Sequence, residues 1–92
     1  MDFVHYDNEI VLYGDNKKVL ANVTFPSISE NIVCVNHTFV DASQRGKGVA
    51  NKLMQELVKN LENTNRKAKL TCSYAIAWFE KNPEYVRFVE NR

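Results

Sequence analysis

Ninety-two residues with a mass of 10.6 kDa leave room for a single domain, residues 1–92, and exclude a two-domain enzyme, because one core takes on the order of 100–200 residues. A composition 45% apolar and 25% charged, with 3 Gly and 2 Pro, excludes collagen-like and low-complexity disordered chains. Twelve basic against eleven acidic side chains argue against the broad basic footprint of a nucleic-acid binder, so any anion site is local, in a surface cleft.

The chain opens with Phe3 to Tyr6, which reads as a short edge strand, and continues with Glu9 to Tyr13, a β-branched and aromatic run. Gly14-Asp15-Asn16 is a tight-turn cluster, and in Lys18 to Phe25 the residues Val19, Ala21, Val23 and Phe25 alternate with Leu20, Asn22 and Thr24, giving a hairpin with one half-buried face. Pro26 to Asn31 breaks the pattern. Ile32 to Val40 then reads as one central strand, apolar on both alternating sets at its start and so covered on both faces.

At Val49 the period changes. Val49, Ala50, Leu53, Met54, Leu57, Val58 and Leu61 form an apolar stripe on a helix whose other face carries Asn51, Lys52, Gln55, Glu56, Lys59 and Asn60. Burying that stripe contributes on the order of 10 kcal/mol, which makes this helix the main brace of the fold. Asn63-Thr64-Asn65 stops it, and Lys67 to Cys72 alternates as a strand parallel to the central one, completing a βαβ unit. Ser73 is placed to cap a short helix that ends at Asn82-Pro83, and Tyr85, Val86, Phe88 and Val89 form a terminal apolar segment, strand or helix. The fold class expected is therefore mixed α/β (α+β), an antiparallel hairpin leading into a βαβ core.

Outside these elements the signals are sparse. The amino terminus lacks the basic-then-apolar order of an export signal and no run of about 18 apolar residues occurs, so a cytoplasmic location with no membrane partner is expected, with Cys34 and Cys72 as free thiols. The cysteines have no CxxC or His spacing that would make a metal site, and Asn22-Val23-Thr24 and Asn36-His37-Thr38 match the glycosylation acceptor pattern by chance. Lys17-Lys18 and the group Arg66, Lys67, Lys69 read as solvated turn and strand-edge residues.

The most informative segment is Asp41-Ala42-Ser43-Gln44-Arg45-Gly46-Lys47-Gly48-Val49-Ala50, which puts two of the chain's three glycines at a strand-to-helix junction. Glycines allow backbone conformations and close approaches that a Cβ blocks, and the first amides of a helix are unpaired donors at the positive end of its dipole. Flanked by Arg45 and Lys47, such a junction suits a phosphate or diphosphate, although a plain turn with solvated cations has the same composition. The segment satisfies neither the Walker A pattern nor the dinucleotide fingerprint.

Arg45-x-x-Gly48-x-Ala50 resembles the R/Q-x-x-G-x-G/A motif of the Gcn5-related N-acetyltransferases. His37-Thr38-Phe39-Val40, Arg45-Gly46-Lys47-Gly48, Leu70-Thr71-Cys72-Ser73-Tyr74 and Asn82-Pro83-Glu84-Tyr85 follow in the order found in the small stand-alone members of that superfamily, across residues 32 to 85. The resemblance implies acetyl-coenzyme A as co-substrate and an amine as acceptor. It assigns Gln44, Arg45, Gly46, Lys47, Gly48, Val49 and Ala50 to the diphosphate, and the strand edge at Thr38, Phe39 and Val40 to the pantetheine arm, with an amide of Phe39 or Val40 on the thioester carbonyl. It also places the thioester between the carboxyl ends of His37–Val40 and Lys69–Cys72.

For proton transfer the candidates are Cys72, His37 and Tyr74. Cys72 precedes a helix amino terminus that favours a thiolate, and it serves as acid, as acetyl acceptor or as a small core residue; His37 is a base or a structural histidine. Two positions depart from the family pattern: Phe79 stands where larger relatives carry an acid tyrosine, and Phe39 replaces the glutamate of the small-protein pattern. Two readings follow, an N-acetyltransferase and a coenzyme-binding regulatory or interaction module with incomplete catalytic parts, the short chain favouring the second.

Overall fold

The computed structural model describes residues 2–90. Strands β1 (Phe3–His5), β2 (Glu9–Tyr13) and β3 (Val19–Thr24) form an antiparallel meander, and its alternation places Ile10, Leu12, Ala21 and Val23 on one buried face. The turn between β2 and β3 is a short 3₁₀ segment, Asp15–Lys17, with Asn16 and Lys17 both at positive φ. Asparagine tolerates that region through its short polar side chain.

The run read as one strand is two. Ile32–Val35 (β5) and His37–Val40 (β6) separate at Asn36, which bonds through its N–H to Thr24 O at 3.3 Å although the register already pairs Thr24 with His37. Two residues facing one is a β-bulge, and it bends the strand and redirects its pairing. β6 joins the meander (order β1-β2-β3-β6), whereas β5 lies between β4 (Ser27–Ser29) and β7 (Lys67–Leu70), antiparallel to the first and parallel to the second. A strand thus occupies part of the segment expected to break the pattern. β5 also departs from the expected cover on both faces: Val33 and Val35 are fully buried, while Ile32 and Cys34, on the alternate face, are half-exposed.

Helix α1 (Val49–Thr64) buries Val49, Leu53, Met54, Leu57, Val58 and Leu61 against the sheet, as its periodicity predicts, and ends at Asn65 in the left-handed conformation, whose N–H bonds to Glu62 O at 3.2 Å. α2 (Ser73–Lys81) starts with Cys72 as its N-cap, so Ser73 is the first helical residue and not the cap. The terminal segment resolves as a 3₁₀ turn, Pro83–Phe88, after which Val89 bridges Ala68 in parallel and Glu90 N–H bonds to Ala68 O at 2.7 Å.

Asn60, expected on the polar face, is buried, and Arg66, expected in solvent, is the reason. Arg66 has donors only, so Asn60 Oδ1 accepts from its Nη2 at 2.8 Å; Asn60 Nδ2 must then donate to His5 Nδ1 (3.2 Å), and His5 Nε2 donates to Glu56 Oε1 (2.8 Å). Arg66 also bonds to Thr64 Oγ1 and Asp7 O and lies over the Phe25 ring. This chain ties β1 to the middle of α1. Leu57, fully buried in the same core, tests the bracing role of the helix: Leu57→Ala should lower the free energy of urea unfolding by about 2–5 kcal/mol.

Candidate functional site

β6 is the edge of its sheet, and the register decides which of its backbone groups are free. Asp41 N–H bonds to Leu20 O at 2.7 Å, and pairs in an antiparallel ladder alternate between bonded and non-bonded. Phe39, opposite Asn22, therefore turns its N–H toward β3, and Thr38 and Val40 turn theirs to the outer edge. Of the two amides expected near a thioester carbonyl, the one on the open edge is that of Val40.

β7 does not close this edge, because it pairs with β5 and its ladder ends where the N–H groups of Thr71 and Cys72 both reach Val35 O, at 3.0 and 3.1 Å. The two chains splay beyond that point. Thr38 and Cys72 face each other across the start of the gap, with Cys72 Sγ 3.4 Å from Thr38 Oγ1. Partial burial alone would raise the Cys72 thiol, but the Thr38 hydroxyl and the N–H groups of Ala75, Tyr74 and Thr38 outweigh it and hold the thiol below its ordinary value. Cys34 is on the other face of the strand pair, 3.5 Å from Thr71 Oγ1.

The loop after β6 begins with a 3₁₀ turn, Ala42–Gln44, capped by Asp41, whose Oδ2 accepts from Ser43 N and Ser43 Oγ. The Ser43 hydroxyl first, then its amide, hold the Asp41 carboxyl below the usual range, with smaller help from Lys18 and Arg45. Gly46 and Gly48 follow at φ +79° and +74°, which L side chains rarely adopt, and a Cβ on either would meet nothing within 4 Å. The glycines therefore serve backbone conformation and leave open space beside the loop, the form of a cradle for a ligand.

The first bond within α1 runs from Lys52 N–H to Gly48 O, so the amides of Val49, Ala50 and Asn51 have no acceptor inside the helix, and its first turn carries no acidic side chain. These amides border a cleft of about 260 Å³ enclosed by Val40, Gln44, Arg45, Gly46, Gly48 and Tyr74. Asn51, which belonged to the polar face in the sequence pattern, is part of this wall; its place in the first turn after the glycines was the available signal. Burial raises the Tyr74 phenol, so it stays protonated in neutral solution and faces the cleft as a hydrogen-bond and proton donor.

Not every candidate converges here. Lys47 is exposed and does not line the cleft. His37 and Phe39 alternate to the face of β6 opposite Thr38 and Val40, so His37 does not meet Cys72. Phe79 is buried in the core. A larger hollow, about 570 Å³, lies at the other end of α1 beside Asn65, Lys67 and Arg87, with none of the loop residues in its wall. No cluster of metal-ligating side chains occurs among the described residues, and no described helix is long and apolar enough to cross a membrane.

The chain is similar to known proteins in sequence and in fold. The chain is 36% identical over 56 residues to L-2,4-diaminobutyric acid acetyltransferase of Halalkalibacterium halodurans, a match covering 59% of this chain and 30% of that enzyme. The solution structure of a GCN5-like protein from Staphylococcus aureus superposes with a TM-score of 0.79 at 25% identity, over 99% of this chain and 89% of the other. Tetrahymena GCN5 shares the fold at a TM-score of 0.66 and 16% identity, over 91% and 61% of the two chains. The family model for GCN5-related N-acetyl-transferases matches residues 9–88, which include the splayed strands, the glycine loop and both helices, and the chain belongs to that family.

Proposed function

We propose that this protein binds acetyl-coenzyme A at the β6–α1 junction and transfers its acetyl group to an amine. The observation that carries the reading is the cleft itself, where two positive-φ glycines with open space beside them border helix amides lacking intrahelical partners. The residues fit a diphosphate: Arg45 adds charge beside those amides, Gln44 adds a polar side chain, and the free outer edge of β6 accepts an extended arm as a further strand. Bound acetyl-coenzyme A supplies an activated thioester.

In this reading the Val40 N–H, free on the edge, donates to the thioester oxygen as negative charge develops there. The neutral amine attacks the carbonyl carbon, the C–S bond breaks, the nitrogen releases its surplus proton to water, and the coenzyme leaves as a thiolate that needs a proton. Cys72 supplies it: its lowered pKa brings the proton within reach of a departing thiolate, and as a thiolate it then accepts from Thr38 Oγ1. His37 stays outside this scheme because it faces the other side of the sheet, and Tyr74 serves the coenzyme wall.

The chain spans 30% of the length of the diaminobutyrate acetyltransferase, so its acceptor is not carried over from that enzyme. One observation favours the module reading: Phe79, at the position of the usual acid tyrosine, is buried in the core, well removed from solvent chemistry. Steady release of free thiol from acetyl-coenzyme A in the presence of polyamines, amino acids or peptides separates the two. Acceleration by any of these amines is expected; coenzyme binding with no acceleration would assign the chain to the module class.

Gly48→Ala should cost the fold about 1–2 kcal/mol through its left-handed backbone, with secondary structure retained, and should abolish coenzyme binding in calorimetry because the new Cβ enters the space beside the loop. Gly48→Val adds a β-branch to the same strained position and should behave at least as severely. Cys72→Ala should keep coenzyme affinity and slow transfer, whereas an acetyl-enzyme role would show as a single acetyl adduct on Cys72 in mass spectra of the wild type. The thiolate form prevails above the pKa, so a lowered pKa moves the midpoint of Cys72 alkylation by iodoacetamide to lower pH than for a free cysteine, and Thr38→Val should move it back up.

A further inference from the structure

Trp78, the chain's one tryptophan, is on α2, yet its indole Nε1–H donates to Asn51 Oδ1 in the first turn of α1 at 2.7 Å. An indole nitrogen can only donate, so the Asn51 side-chain oxygen is committed to Trp78 and its Nδ2 is left as a donor with no partner among the described residues. Asn51 lines the cleft beside Arg45 and Gly48. Trp78 is itself held: it is 5% exposed, stacks on Tyr85 at 5.5 Å with an interplanar angle of 11°, and meets Phe79 edge-on at 5.0 Å.

From this arrangement we infer that Asn51 is a coenzyme-diphosphate contact and that Trp78 is its positioning residue. The inference rests on the coenzyme reading above and adds to it a neutral side-chain donor whose direction is set from the neighbouring helix. With its oxygen occupied, Asn51 offers two N–H groups and no acceptor, the polarity a diphosphate oxygen requires beside the helix amides. The same bond ties the first turn of α1, at the phosphate end, to α2, whose amino terminus carries Cys72 at the thioester end. One indole therefore keeps the two ends of the coenzyme channel at a constant separation.

An acetyl-coenzyme A titration followed by nitrogen-15 NMR tests the inference, with the backbone amides of Gly46 and Gly48, the Asn51 side-chain NH₂ pair and the single indole resonance as probes. The expected result is that all loop probes and the Asn51 NH₂ pair shift to saturation together. Asn51→Asp keeps an acceptor for the indole but presents a carboxylate to the diphosphate, and it should weaken binding at least about tenfold with the indole resonance still in its hydrogen-bonded position. Trp78→Phe keeps an aromatic ring and removes the donor; it should weaken binding about tenfold. Should the Trp78 variant fail to fold, Asn51→Asp carries the test.

Loop amides that shift while the Asn51 NH₂ pair stays still, or an Asn51→Asp protein that binds like the wild type, would overturn this inference and leave the coenzyme reading standing. Loop amides that do not move in the wild type at saturating acetyl-coenzyme A would overturn the coenzyme reading and the inference with it.

Discussion

The bulge at Asn36 is the constraint on which the rest of the structure depends. One extra residue opposite Thr24 lets a single stretch of chain serve two sheets in turn, pairing with β7 before the bulge and with β3 after it. A straight strand would continue its ladder with β7 and satisfy every backbone group. The bent one leaves the outer edge of β6 without a strand partner, and that unsatisfied edge is the most direct invitation the fold makes to an extended ligand.

The second element of the site is electrostatic and depends on α1. A helix N-terminus becomes an anion site only when its amides are accessible and nothing negative blocks them. Here the glycines deliver the chain into the helix through left-handed turns, and the first helical turn has no acidic residue. Asp41 is the nearest counterweight in the loop, and its charge is spent on Ser43 and Lys18. The helix can hold this end in place because the sheet covers its apolar stripe and because, further along, the chain from Arg66 through Asn60 and His5 to Glu56 stitches it to the first strand. Buried polar groups are costly unless every member is paired, and here each is.

Cys72 shows how position changes chemistry. Both cysteines are half-buried and each faces a threonine hydroxyl, but Cys72 also has helix amides behind it, and these help to lower its thiol. The difference comes from the place of Cys72 at the start of α2, which the local run of residues already indicates, and from the face of the strand it occupies, which depends on packing.

Periodicity was enough to read most of the elements. The stripe from Val49 to Leu61, the alternation in Val19 to Phe25 and the stop at Asn63-Thr64-Asn65 depend on neighbours within a few residues, and such short-range geometry is written directly in residue order. The glycine loop was legible for the same reason, since positive φ at Gly46 and Gly48 is a local demand that few other residues meet. Tertiary structure alone decided where Ile32–Val40 divides, because an apolar run looks the same whether it bends at Asn36 or continues. It decided which edge amide is free, that His37 faces away from Cys72, and that Asn51 meets Trp78, because each of these depends on registers and contacts between segments far apart in the chain. No local pattern records such contacts, since they exist only once distant elements have packed.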